Sequence, residues 1–114
     1  MATSSNFEGT MELTAPAGGV VVGTLYYNST SKAVDLAMTA AASGATFTGK
    51  ITGLVKTVLK ATGAAWTVNR SLSWTTTKFK SCTGSTSQAT AFNAAASGDT
   101  TGDVILRLPV TAPA

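Results

Sequence analysis

The chain has 114 residues, of which 44% are hydrophobic and only 11% charged; it carries a formal net charge of +3, a single cysteine and no histidine. That length suits one domain with one core, and so little charge excludes an expanded disordered chain, which combines weak hydrophobicity with strong charge. The missing imidazole excludes a His-based triad and imidazole metal ligation, and the lone Cys82 excludes an internal disulfide or a paired-thiol metal site.

No enzymatic activity, metal or cofactor is therefore expected. The first residues, Met-Ala-Thr-Ser-Ser-Asn, lack a basic stretch followed by an apolar run, and no segment reaches the roughly 20 apolar residues that span a bilayer. Cytosolic assembly, with no membrane partner, is the expectation.

In chain order, the first predicted strand runs from Phe7 to Thr14, with Phe7, Met11 and Leu13 on a face that should be buried and Glu8, Thr10 and Glu12 opposite. Ala15-Pro16-Ala17-Gly18-Gly19 breaks it, because proline lacks a ladder donor and paired glycines tolerate positive φ. Val20 to Tyr27 and Ala33 to Thr39 read as a hairpin whose turn, Asn28 to Lys32, carries short polar side chains able to bond the backbone. Ala40 to Gly44 reads as a loop, since three alanines cannot nucleate a helix before Ser43-Gly44.

Ile51 to Ala61 is ambiguous: Leu54, Val55, Val58 and Leu59 have helical spacing, yet the β-branched residues and Gly53 favour a strand, closing in at most one short helical turn. Arg70 to Thr75, Lys78 to Thr83, Gln88 to Ala95 and Asp103 to Pro109 complete the strands, and Ser97 to Gly102 is a turn-rich loop. The fold class expected is all-β: a single-domain β-sandwich or β-barrel of about eight short strands. Residues 1–6 form a flexible N-terminal arm, 7–110 the β-rich domain and 111–114 a C-terminal tail.

Six basic residues and no acid lie between Ala37 and Gly98, whereas Glu8, Glu12, Asp35, Asp99 and Asp103 all lie outside that stretch. A basic middle between acidic ends suits solvated strand lysines or a basic face meeting an acidic partner. Nucleic acid is an unlikely partner, because dense Lys/Arg clusters with stacking aromatics are missing. Glu8 with Glu12, and Asp99 with Asp103, read as solvated charge and turn residues, since no further acid-base group or calcium-loop pattern completes a site. Trp66 and Trp74 suit core anchors, with a sugar-stacking platform in an adhesion or carbohydrate-binding module as the alternative.

Several of these segments, in this order, resemble a known family. Glu8-Gly9, the run Leu13 to Val20, Gly23-Thr24-Leu25, Gly53-Leu54-Val55, Leu59-Lys60-Ala61, Gly63-Ala64-Ala65, Leu72-Ser73-Trp74, Ala94 to Thr101 and Val104 to Leu108 are similar to the small phage capsid cement, or decoration, proteins grouped as a domain of unknown function (DUF2190). The likeness covers roughly Asn6 to Leu108; Gln88 to Ala91 and Asn69-Arg70 depart from it. It implies a non-enzymatic virion protein on the outer surface of the expanded head, bound between copies of the major capsid protein, commonly as trimers at threefold and quasi-threefold positions. There it would stabilise the shell against internal DNA pressure. Thr3, Ser4, Ser5 and Asn6 of the arm, Phe7 at the start of the domain, and Lys50, Lys56 and Lys60 of the basic middle are the candidate capsid-binding residues.

Overall fold

Short apolar runs punctuated by Gly, Asn and Asp favour extended segments over helices, and the computed structural model, which describes residues 9–29, 31–75 and 77–113, holds nine strands and no helix among them. They are β1 (Thr10–Thr14), β2 (Leu25–Tyr27), β3 (Val34–Ala37), β4 (Thr46–Lys50), β5 (Gly53–Leu59), β6 (Ser71–Thr75), β7 (Lys78–Ser81), β8 (Thr86–Ala91) and β9 (Thr101–Thr111). All strand pairs in the two sheets are antiparallel: a four-stranded sheet ordered β1-β4-β3-β2 and a five-stranded sheet ordered β5-β9-β8-β6-β7.

The larger sheet curls on itself. Just beyond β5, Lys60 bridges in parallel to Phe79 of β7, and the Ala61 N–H donates to the Phe79 carbonyl at 2.9 Å, so the two edge strands meet. Joining edges removes unpaired backbone donors from solvent. Inside lie Val55, Val58, Trp66, Leu72, Phe79, Ala89, Ala91, Val104 and Leu106, and the smaller sheet adds Val34, with Leu25 and Leu36 packed alongside. Because successive strand residues face opposite ways, Asp35 and Ala37 then point to the outer face of that sheet. A second cluster of Ala15, Val20, Ala37 and Phe47 covers part of it, with Leu13, Tyr26 and Ala41 packed against them.

The predicted all-β class, the β2–β3 hairpin and the strand character of β5 hold. Asn28 organises the hairpin turn: its N–H donates to the Ala33 carbonyl at 2.9 Å, and its Oδ1 accepts from the Ser31 N–H at 3.1 Å. Four expectations change. Residues 46–50 form a strand, β4, where none was predicted; its one large apolar residue is Phe47, and its Gly49 leaves room for Leu13, whose Cδ1 would lie 2.5 Å from an added Cβ. Val20 makes only an isolated bridge to Ala41, and the chain turns through Val21–Thr24, leaving Val21 66% and Val22 57% exposed. On β1 Leu13 packs inward, but Met11 is 40% exposed. Residues 111–113 are no loose tail: Thr111 pairs with Thr86, Ala112 is buried and donates to the Ser85 carbonyl at 2.8 Å, and the Gly84 N–H bonds the carbonyls of Ala112 and Pro113.

Candidate functional site

The three candidate lysines occupy three different environments. Lys50, at the end of β4, lays its stem beside Gly53 and donates from Nζ to the Leu54 carbonyl at 2.7 Å, tying the smaller sheet to the start of β5. Lys56 is exposed on β5. Lys60 is only 1% exposed, with Nζ 5.6 Å from the centre of the Trp66 ring and bonded to the carbonyls of Ala61, Ser97 and Asp99 at 3.1, 3.5 and 3.4 Å. Carbonyl dipoles and an aromatic face offset the cost of burying an ammonium group. Lys60 is thus a core residue that closes one end of the curled sheet, and its charge is not presented at the surface. Thr3, Ser4, Ser5, Asn6 and Phe7 lie outside the described residues.

Lys78 and Lys80 are exposed on either side of the buried Phe79, so edge strand β7 presents two cations to solvent. That arrangement fits the solvated-lysine reading of the basic middle.

Lys56 and Thr57 lie on the wall of a groove between the sheets, of about 390 Å³, whose apolar part is made by Leu25, Leu36, Val55 and Trp74. The local cause is a bulge. Val55 pairs with Val104 and Val58 with Gly102, so two β5 residues stand opposite Asp103 alone. Thr57 takes φ 59°, and Asp103 accepts both its N–H and the Asn93 amide at 2.9 Å. Those hydrogen bonds, from the Thr57 backbone first and the Asn93 side chain second, hold the Asp103 carboxyl below the usual carboxylate range. Asp99 caps a turn, its Oδ2 accepting from the Ala96 N–H at 2.9 Å.

Neither tryptophan pairs with the other at the surface. Trp66 is buried beneath Lys60 and against Gly102, and Trp74 meets Phe79 edge-on, with centroids 5.0 Å apart and planes at 72°. A two-tryptophan sugar platform therefore does not form. Among the described residues, no three His, Cys, Asp or Glu side chains gather where they could hold a metal ion. What the molecule offers a partner is surface: exposed apolar side chains at Val21, Val22, Met38, Val68, Leu108 and Val110, and the groove beside Trp74.

Sequence reasoning missed the groove and the bulge, because two separate sheets build the first and a register shift makes the second. Only Asp103 facing a run of β-branched residues hinted at the bulge. A comparison with curated proteins and one with solved structures each found no match. The family model described as phage cement protein matches residues 5–106, which include β1 to β8 whole and the first half of β9. This chain belongs to the phage cement protein family.

Proposed function

We propose that this protein decorates the outside of an expanded phage head, sitting between copies of the major capsid protein as trimers and stabilising the shell against the pressure of packaged DNA. The observation that carries the reading is the family match over residues 5–106. The surface agrees with it: exposed apolar side chains on a hydrogen-bonded β framework suit adhesion, and adhesion requires no chemistry. A cement protein stabilises a shell only as far as it binds the assembled, expanded lattice better than free or unexpanded coat subunits. The arm, residues 1–6, adds a strand to an exposed coat edge, where backbone hydrogen bonds make little demand on sequence.

Co-sedimentation with expanded capsids and with procapsids of the phage that encodes the protein tests this. Selective binding to expanded capsids, together with raised heat resistance of the shells, is the expected outcome. Equal binding to both forms, or binding to neither, would sink the proposal.

A further inference from the structure

Four polar or charged residues are buried among the described residues: Asp35, Lys60, Ser87 and Gln88. Three of them have partners. Lys60 has its carbonyls, Ser87 Oγ donates to the Leu72 carbonyl at 2.8 Å and accepts from Arg107 at 2.7 Å, and Gln88 Oε1 accepts from the Trp74 N–H at 2.9 Å. Asp35 has neither a hydrogen-bond donor nor a cation beside its carboxyl among the described residues, although it is only 4% exposed. Buried polar groups are ordinarily satisfied, and a buried carboxylate left alone destabilises the fold.

The Asp35 side chain lines a cavity of about 200 Å³ on the outer face of the smaller sheet, walled by Leu13, Pro16, Tyr26 and Phe47. The walls suit an aliphatic stem and the carboxyl suits a cation at its tip. A metal ion would need several such ligands, and none gather there among the described residues. The adjoining turn holds the exposed Val21 and Val22, and it is anchored to this site because the Val21 N–H donates to the Tyr26 hydroxyl at 3.0 Å. An apolar collar around a polar contact excludes water and strengthens it.

We propose that this cavity receives a lysine or arginine side chain of the major capsid protein, with Asp35 as its counter-ion. The proposal rests on the decoration role above. The alternative occupant is a lysine of a second copy of this chain, and the oligomeric state of the Asp35→Asn variant separates the two.

Proton linkage supplies the readout. Burial pushes the Asp35 carboxyl up to about 6 in the free protein, and a cation seated against it favours the ionised form. The other ionisable groups lining the cavity are the phenols of Tyr26 and Tyr27; Thr14, Asn28 and Ser29, which also line it, are neutral. Affinity for the shell should therefore rise as pH increases through about 6.

The experiment measures capsid occupancy by wild type and Asp35→Asn between pH 5 and pH 8, with circular dichroism to check folding and sedimentation to determine the oligomeric state of the free proteins. The expected result is a folded variant of unchanged oligomeric state that binds expanded capsids at least ~10-fold more weakly at pH 7.5, without the wild-type pH dependence. Wild-type affinity in Asp35→Asn overturns the inference and leaves the decoration role standing. No wild-type binding at any pH overturns both. A changed oligomeric state in the variant assigns the cavity to a second copy and overturns the coat-protein assignment. If the variant is unfolded, wild type alone decides the matter: occupancy that does not rise between pH 5 and pH 7 overturns the inference.

Discussion

The Thr57 N–H donates to Asp103 Oδ1 at 2.9 Å across the point where β5 carries one residue more than β9. A β-branched residue at φ 59° is strained, and the bulge persists because Asp103 takes up the donor that the interrupted ladder leaves over. The same bulge places Thr57 and Lys56 at the inter-sheet groove. One carboxylate thus links the register of the larger sheet to the shape of its surface.

Replacing Asp103 with Ala should lower the melting temperature by a few degrees, and Asp103→Asn should do so less, since its amide oxygen can still accept from Thr57. The folded pKa lies below 3.8, so the contribution is complete above that value and is lost as pH falls through the folded one. Thermal melts between pH 2 and pH 7 check this: the gap between wild type and Asp103→Asn should narrow only at the acid end. In the same bulge, Thr57→Gly should stabilise by up to about 1 kcal/mol, relieving the left-handed strain while giving back part of the gain as chain entropy.

The uncompensated Asp35 makes a prediction of opposite sign. Its folded pKa, about 6, lies above the ordinary aspartate value of 3.8, so the folded state holds the proton more tightly, and stability should fall as pH rises from about 4 to about 6. The loss is of order 1–3 kcal/mol, the lower figure allowing for solvent reaching the carboxyl through the cavity mouth. Urea titrations of wild type and Asp35→Asn across that window should diverge with increasing pH, the variant being the more stable at pH 7.5. Parallel curves would mean that Asp35 ionises freely in the folded chain.

Lys60 is a second buried charge, but a satisfied one. Lys60→Ala removes both the packed stem and the donor to three carbonyls, and should cost roughly 2–4 kcal/mol in urea unfolding; Lys60→Met keeps the stem and should cost less. Since the ammonium is not presented at the surface, Lys60→Met should bind expanded capsids as the wild type does, and reduced occupancy of the folded variant would restore Lys60 as a contact residue.

Gly102 faces the indole of Trp66, and an added Cβ would stand 2.5 Å from Trp66 Cζ3. The ring is buried among strands and cannot swing aside, so Gly102→Ala should cost about 1–3 kcal/mol by overpacking. Gly98→Ala in the neighbouring loop, where an added Cβ meets nothing, is the control and should leave the melting temperature almost unchanged.

Legibility in the sequence followed how local each signal was. β6 and β9 were readable because Leu72 with Trp74, and Val104 with Leu106, alternate in a simple period-two pattern. β4 was not: one phenylalanine and one glycine make no alternation, and the strand forms because Leu13 of β1 fills the space above Gly49. Val20 to Val22 reads as a strand by β-branching, but no segment among the described residues supplies a ladder for Val21 and Val22, and Gly23 at φ 86° turns the segment away. Lys60 looked like a surface cation because lysine usually is one; only the approach of Ser97, Asp99 and Trp66 from distant segments makes its burial tolerable.

The sequence by itself determined the class of the molecule. Short alternating runs pointed to strands, the missing histidine excluded imidazole chemistry, and the order of its Gly, Ala and Val segments pointed to the cement proteins, whose family model matches residues 5–106. Tertiary structure decided which charges reach the surface. Lysines that are alike in sequence divide into a core plug at Lys60, a strap between the sheets at Lys50 and solvated edges at Lys78 and Lys80, while an ordinary aspartate becomes a buried, unpaired carboxyl at Asp35. The physical reason is that the behaviour of a charge depends on the dipoles, rings and solvent within a few ångströms of it, and here those neighbours come from segments far apart in the chain.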